Sequence, residues 1–180
     1  RTPGALSMTE VGGDWSVYGR YRAVEYASHD VIYVQDDDCV VSDPRAIVGA
    51  YEMVTRHSFG DTNHVVCNQP EPWRSNPFYA DHALVGFGAA FHRDAPERAW
   101  RRWMDWRGYI AEWPPPDRAW LEPWFLRTCD IVFTALTHRV LVEIPHESFD
   151  YAWGDDRMWR QPEHQSERQR MLDLVRQVAR

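Results

Sequence analysis

The sequence predicts a single α/β domain whose mixed, mostly parallel sheet is flanked by helices. Short β-branched runs alternate with amphipathic helical segments, an order typical of strand–helix–strand units. The chain has 180 residues, 44% of them hydrophobic, which suffices for one core but would crowd two full domains. No internal repeat or low-complexity tract interrupts this pattern, so we expect residues 1–180 to form one domain.

The first half of the chain contains five predicted elements. Residues 15–27 carry apolar side chains at every third position, which predicts a helix. The apolar run Val31–Val34 predicts a strand buried on both faces. Ser42-Asp43-Pro44 places a capping residue and a proline where a helix would begin. Residues 64–69 and 83–91 are predicted as two further strands, the second interrupted by glycines.

The second half of the chain is predicted to be mainly helical. A helix over residues 94–108 begins at an acidic residue with an early proline and ends at a glycine. A triple proline at 114–116 forms a rigid break. Residues 124–137 predict a helix and residues 140–144 a fourth strand. We expect residues 146–180 to be a mobile loop followed by an amphipathic helix.

Composition excludes several function classes. Lysine plus arginine is 20 and aspartate plus glutamate is 27, so the net charge of −7 argues against nucleic acid or an anionic membrane as partner. All the basic residues are arginine, which excludes Schiff-base and phosphate-loop lysines. Three cysteines without CxxC spacing predict neither disulfides nor zinc, and favour a cytoplasmic location. No stretch approaches ~20 apolar residues, so no membrane span is expected.

The strongest local signal is the acidic triplet Asp36-Asp37-Asp38 at the end of an apolar strand. In open α/β sheets, ligands bind beyond the carboxyl ends of the strands. Clustered carboxylates repel one another unless a cation neutralises them, and Mg²⁺ or Mn²⁺ is commonly held by one or two carboxylates plus substrate phosphates. The triplet therefore indicates either a metal–nucleotide site or an acidic turn that caps the following helix.

Several motifs occur in an ordered set around this triplet. Arg20-Tyr21-Arg22 precedes the strand, and Gly86-Phe87-Gly88-Ala89-Ala90-Phe91-His92 and Thr128-Cys129-Asp130-Ile131 follow it. Over residues 18–136 this set resembles nucleotide-sugar glycosyltransferases of the GT-A fold, most closely the exostosin-type branch. The resemblance implies a Rossmann-like fold, a nucleotide-sugar donor (a UDP-sugar above others), Mn²⁺ or Mg²⁺, and a glycan, protein or small-molecule acceptor.

The chain departs from this family at two points. GT-A enzymes place two or three β-α units before the acidic strand, whereas only 35 residues precede Asp36. We therefore expect either a missing N-terminal nucleotide-binding segment or an abbreviated fold. The family's doubled acid at a helix start is Cys129-Asp130 in this chain, which leaves one carboxylate for that role.

The resemblance also implies a role for each matching acidic residue. Asp38 and Asp36 would bind the metal, while Asp36 or Asp37 would contact the ribose or the metal's water. Asp130 would face the anomeric carbon of the donor sugar, as general base in an inverting enzyme or as electrostatic stabiliser in a retaining one. A helix N-terminus would keep Asp130 ionised.

Other residues are expected to bind the donor or the metal. Arg20 would contact the nucleotide or its phosphates, and Gly86 and Gly88 would let a sugar lie close to the backbone. His146 and His164 are the candidates for an additional metal ligand, and His164 is preferred.

Two further expectations concern the acceptor and the competing functions. Trp153 and Trp159, in an acidic loop, are candidates for acceptor contact. Clustered aspartates also fit a Mg²⁺-dependent nucleotidyltransferase or phosphohydrolase, and exposed tryptophans fit a non-catalytic carbohydrate-binding protein.

Overall fold

The computed structural model describes residues 15–57, 63–107, 123–148 and 162–179 as six α-helices and six strands joined by turns and short 3₁₀ helices. The α-helices are α1 (Gly19–Arg22), α2 (Arg45–His57), α3 (Glu71–Arg74), α4 (Ala95–Arg107), α5 (Pro123–Ala135) and α6 (Pro162–Val178). The strands are β1 (Val31–Val34), β2 (Cys39–Val41), β3 (His64–Asn68), β4 (Ala89–His92), β5 (His138–Val142) and β6 (His146–Ser148).

The described strands form a four-stranded mixed sheet in the order β1-β4-β3-β5. β4 is antiparallel to both of its neighbours, and only β3 and β5 are parallel. The α/β class is thus confirmed, but a mostly parallel sheet is wrong for these strands. A parallel connection needs a crossover of a dozen or more residues, usually a helix. The connection between β3 and β4 is long enough but contains only α3 and a 3₁₀ turn, with no helix that carries the chain back along the sheet, and β4 runs antiparallel to β3.

The strand predictions differ from the structure in four places, one of which is that β5 begins and ends two residues before the strand predicted over residues 140–144. β1 is half-buried rather than buried on both faces, because among the described strands it pairs only with β4. The predicted strand over residues 83–91 is shortened to β4, since the chain turns through residues 85–87. The small antiparallel pair of β2 and β6 was not predicted. Its second strand, β6, lies at the start of the segment that was expected to be a mobile loop.

The helix predictions agree better. Residues 15–27 are helical but divided into two 3₁₀ turns around α1. α4, α5 and α6 lie where the sequence predicts helices. Among the described helices, none is both long and apolar enough to cross a membrane.

The helices divide between the two faces of the sheet and produce two apolar clusters. The larger cluster packs α4, α5, α6 and the N-terminal helical segment against one face, around Trp100, Phe91 and Phe133. The smaller cluster places α2 over the other face through Ala50 and Val54. Because β1 and β3 run opposite to β4, the C-terminal ends of β1 and β3 and the N-terminal end of β4 lie at one edge of the sheet.

Candidate functional site

A cavity of about 660 Å³ opens at this edge of the sheet, within the volume range of small-molecule sites. Its walls come from the turn after β1, the segment of residues 73–87 before β4, α5 and the start of α6. Six of the eight predicted site residues line it: Arg20, Asp36, Asp38, Gly86, Asp130 and His164. His146 lines it as well. The structure thus brings together residues that are far apart in sequence.

Arg20 connects two carboxylates at the base of the cavity. Its Nη2 lies 2.6 Å from Asp36 Oδ1, and its Nη1 lies 3.5 Å from Asp130 Oδ2. Burial opposes the charge on Arg20, but Asp130 and Asp36 hold its pKa above the ordinary value. The cation expected to contact nucleotide phosphates is therefore already countered by two anions of the protein.

Asp130 lies in the interior of α5, as the eighth of its 13 residues. The expectation that Asp130 stands at a helix N-terminus is wrong, because α5 begins at Pro123. Its carboxylate is held instead by Tyr21, whose hydroxyl donates to Oδ1 at 2.6 Å, and by Arg20. Burial raises the pKa of Asp130, while Arg20 and the Tyr21 hydroxyl act in the opposite direction.

The acidic triplet forms a turn between β1 and β2. The Asp36 amide donates to Gly86 O at 2.8 Å, which joins this turn to the one before β4. Asp38 lines the cavity, whereas Asp37 is exposed and does not line it. The alternative that the triplet caps the next helix is wrong, because Asp43 accepts the Arg45 amide at the start of α2.

The two glycines make room for side chains of β1 and the turn that follows it. A Cβ on Gly86 would lie 2.2 Å from Asp36 Oδ2. Gly88 has φ of +118°, and a Cβ there would lie 2.3 Å from the Tyr33 hydroxyl oxygen. Gly88 faces Tyr33 and does not line the cavity. The space next to Gly86 is therefore occupied by the Asp36 side chain, and the space next to Gly88 by the Tyr33 side chain. A sugar was expected to lie against these glycines instead.

The acidic turn offers two carboxylates, those of Asp36 and Asp38, to a metal ion in the cavity. The charge of Asp36 is neutralised in part by Arg20. The repulsion among the carboxylates of the acidic triplet, which would favour binding of a cation, is therefore smaller than expected. In the described ranges, no three histidine, cysteine, aspartate or glutamate side chains come close enough to hold a metal ion. Asp36 and Asp38 can therefore supply only the carboxylate part of a site that phosphate oxygens would complete, which is a donor set that fits Mg²⁺ or Mn²⁺.

The two candidate histidines have different surroundings. His146 Nδ1 lies 3.2 Å from Asn68 Nδ2 and 3.1 Å from Ile144 O. His164 is buried in the first turn of α6, and its Nδ1 has no hydrogen-bond partner in the described part of the chain. Burial and the charge of Arg168 lower the pKa of His164. Metal ligation by His164 stays a prediction.

Two residues of this site, Arg168 and Asn68, were not predicted from the sequence. Arg168 lines the cavity one helical turn after His164, a spacing that places both side chains on one face of α6. Asn68, at the end of β3, is buried and links two cavity walls. Its Nδ2 donates to Phe87 O and Ile144 O, and its Oδ1 accepts the Ile144 amide. A polar residue closing a buried strand is the signal that could have identified Asn68.

Trp153 and Trp159, expected to contact the acceptor, lie outside the described residues. Comparison of the chain with protein-family models, with curated proteins and with solved structures finds no match.

Proposed function

We propose that this protein is a glycosyltransferase that moves a sugar from a nucleotide diphosphate sugar, a UDP-sugar above others, to an acceptor hydroxyl. The observation that carries the proposal is the convergence of Asp36, Asp38, Asp130 and Arg168 on one open cavity. Carboxylates for a metal–diphosphate, a guanidinium for phosphate and a fixed carboxylate for the reacting carbon are the groups that this chemistry requires.

Arg168 is the cavity's best candidate for binding the diphosphate. The other two arginines that line the cavity are paired, Arg20 with Asp36 and Asp130, and Arg127 with Glu167. Arg168 instead lies over aromatic rings and has no carboxylate partner among the described residues. A guanidinium in this position can bind two phosphate oxygens at once.

A divalent metal ion would neutralise the diphosphate as it departs, held by Asp38 and Asp36 with His164 as the further candidate ligand. Transfer breaks the bond between the sugar C1 and the phosphate oxygen and forms a bond from C1 to the acceptor oxygen. In an inverting reaction Asp130 accepts the acceptor's proton; in a retaining one its charge stabilises the oxocarbenium-like transition state. Tyr21 and Arg20 hold this carboxylate in place for either role.

Calorimetric titration with UDP and GDP, with and without Mn²⁺, tests the donor site. Asp38→Asn should weaken Mn²⁺-dependent UDP binding at least tenfold, or ~1.4 kcal/mol. Arg168→Ala should weaken UDP binding in the presence and in the absence of Mn²⁺. Arg170→Ala is the matched control. Arg170 lies on α6 like Arg168, but its guanidinium stacks on the Trp124 ring and it does not line the cavity.

Products then distinguish the competing functions. A glycosyltransferase releases free UDP and sugar slowly from a UDP-sugar in water, and Asp130→Asn should lower kcat and kcat/KM together by ~10²–10⁴-fold. Release of inorganic phosphate or pyrophosphate would instead indicate the phosphohydrolase or nucleotidyltransferase. Unchanged UDP affinity in Asp38→Asn and Arg168→Ala would contradict the proposal.

The proposed location is the cytoplasm. All three cysteines, Cys39, Cys67 and Cys129, are buried free thiols, a state that a reducing compartment maintains.

A further inference from the structure

An exposed tryptophan forms one wall of the cavity. Trp73 in α3 keeps 38% of its surface exposed although it lines the cavity. Its ring meets Tyr79 edge-on at 5.5 Å between centroids and lies 6.1 Å from Phe87. Gln69 donates to the Trp73 carbonyl and further fixes this short helix. A large ring held in this way offers a flat apolar face to whatever occupies the cavity.

A buried histidine next to this wall has an unused hydrogen-bond donor. His82 lines the cavity, is 1% exposed, and packs between Phe78 and Tyr79. Its Nε2 lies 3.4 Å from Arg168 Nη2. Because a guanidinium can only donate, Nε2 accepts and Nδ1 carries the proton. Nδ1 has no partner among the described residues, and leaving a buried donor unsatisfied costs about 1–3 kcal/mol.

His82 remains neutral near pH 7. Burial, with the charges of Arg168 and Arg139, lowers the pKa of His82 to about 3. The free donor therefore suits a neutral oxygen, such as a hydroxyl or a ring oxygen, without requiring a charged ligand.

One hydroxyl group joins the segment that holds His82 to the backbone of Asp130. Thr134 Oγ1 donates to the Asp130 carbonyl at 2.8 Å and accepts the Ala83 amide at 2.9 Å. Ala83 follows His82 directly, so the segment that holds the histidine is joined to the helical turn that holds Asp130. His82, Arg168 and Asp130 line the same cavity, and the backbone next to His82 lies close to that of Asp130.

This position favours the acceptor over the nucleobase as occupant. In a nucleotide sugar, the ribose and the diphosphate separate the base from the reacting C1, whereas the acceptor oxygen must reach C1 itself. A pyranose ring presents a flat face of C–H groups and a rim of hydroxyls, which matches an apolar platform beside a neutral donor.

We propose, on the basis of the transferase function above, that Trp73 and His82 form the acceptor subsite and that the acceptor is a pyranoside. Its C–H face packs on Trp73, and one of its oxygens accepts from His82 Nδ1.

The test is saturation-transfer NMR with the methyl glycosides of glucose, galactose and mannose, with and without UDP, combined with calorimetric UDP titration. Trp73→Ala should lower the affinity for the bound glycoside at least tenfold and change the UDP Kd less than twofold. Trp73→Phe, which keeps an aromatic face, should retain most of the affinity. Trp106→Ala is the matched control, because Trp106 is 39% exposed but lies on α4 outside the cavity.

Each outcome decides between the two proposals. Glycoside binding that is equal in Trp73→Ala and the wild type overturns the subsite. No saturation transfer to any of the three glycosides overturns the acceptor class. Loss of UDP binding in Trp73→Ala assigns the platform to the base and overturns the inference. Glycoside binding through Trp73 in a protein that binds no UDP contradicts the transferase function and leaves a carbohydrate-binding site.

Discussion

The hydrogen bond from Tyr21 to Asp130 can be removed without disturbing the packing around it. Tyr21 is buried, and its ring contacts Trp100 and Phe133 at centroid distances of 5.1 and 5.4 Å. Phenylalanine keeps these contacts and deletes only the hydroxyl that donates to Asp130 Oδ1 at 2.6 Å. Tyr21→Phe therefore tests how the protein controls the charge of its proposed catalytic carboxylate.

The magnitude follows from the two protonation states of Asp130. A hydrogen bond to a charged group contributes about 1.5–3 kcal/mol, and one between neutral groups about 0.5–1.5 kcal/mol. Tyr21→Phe removes the bond from both states, so the ionised form loses about 1–1.5 kcal/mol more than the protonated form. That difference is about a tenfold increase in the proton affinity of Asp130.

The sign of the stability effect follows from the raised pKa of Asp130 in the folded protein. A buried carboxyl with a raised pKa contributes most to stability below its unfolded pKa, and this contribution is lost as pH rises through the folded value. In Tyr21→Phe that loss should be larger. The difference in unfolding free energy between the wild type and the variant should therefore widen from acid to neutral pH.

Urea unfolding over a range of pH measures this difference without assuming any activity. Tyr18→Phe is the control, because it removes a hydroxyl from the same aromatic cluster and leaves the Tyr21–Asp130 bond intact. With a UDP-sugar as substrate, the acid limb of the rate profile should also move to higher pH in Tyr21→Phe. A stability difference that stays constant with pH would refute the assignment of Tyr21 as the group that stabilises the Asp130 anion.

Three further substitutions test how the cavity walls are held. Gly86→Ala should displace Asp36 from Arg20 and weaken UDP binding at least tenfold by calorimetry, whereas Gly49→Ala, with nothing within 4 Å of its Cβ, should not. Asn68→Ala leaves the partners of its buried amide unsatisfied, at about 1–3 kcal/mol for each group, so urea unfolding should show a loss of at least about 2 kcal/mol. Thr134→Val keeps the side-chain shape but removes the hydroxyl that accepts the hydrogen bond of the Ala83 amide. Thermal unfolding should show a loss of about 1–3 kcal/mol in the free energy of unfolding, and unchanged stability would contradict the role given to that hydroxyl.

The sequence located much of the site because strand ends and helix faces have local signatures. The acidic triplet after an apolar run placed Asp36 and Asp38 at a sheet edge, where they lie. The direction of β4 could not be predicted, because apolar periodicity shows which face of a strand is buried and not whether the strand runs parallel or antiparallel to its neighbours. The expectation that Asp130 stands at a helix start came from the family resemblance, whereas the helical pattern over residues 124–137 already placed Asp130 in the helix interior, as the structure has it.

The missed residues owe their roles to contacts between distant segments. Trp73 and His82 lie in a Pro- and Asn-rich region without periodicity. Both line the cavity, where His82 contacts Arg168 of α6 and Trp73 contacts Phe87 in the turn before β4. Arg168 shares α6 with Arg170 and Arg176, so the sequence alone does not distinguish it from an arginine on a solvated face. The structure shows Arg168 half-buried, while Arg170 is exposed.

The long sequence separations within the site have a consequence for the order of folding. Tyr21 and Asp130 are 109 residues apart and His82 and Arg168 are 86 apart, so each contact closes a large part of the chain into a loop. Closing such loops costs entropy before any contact compensates for it, which places these contacts late in folding. A nascent chain on the ribosome would accordingly gain a complete cavity only once α6 had left the exit tunnel, after the sheet could already have paired.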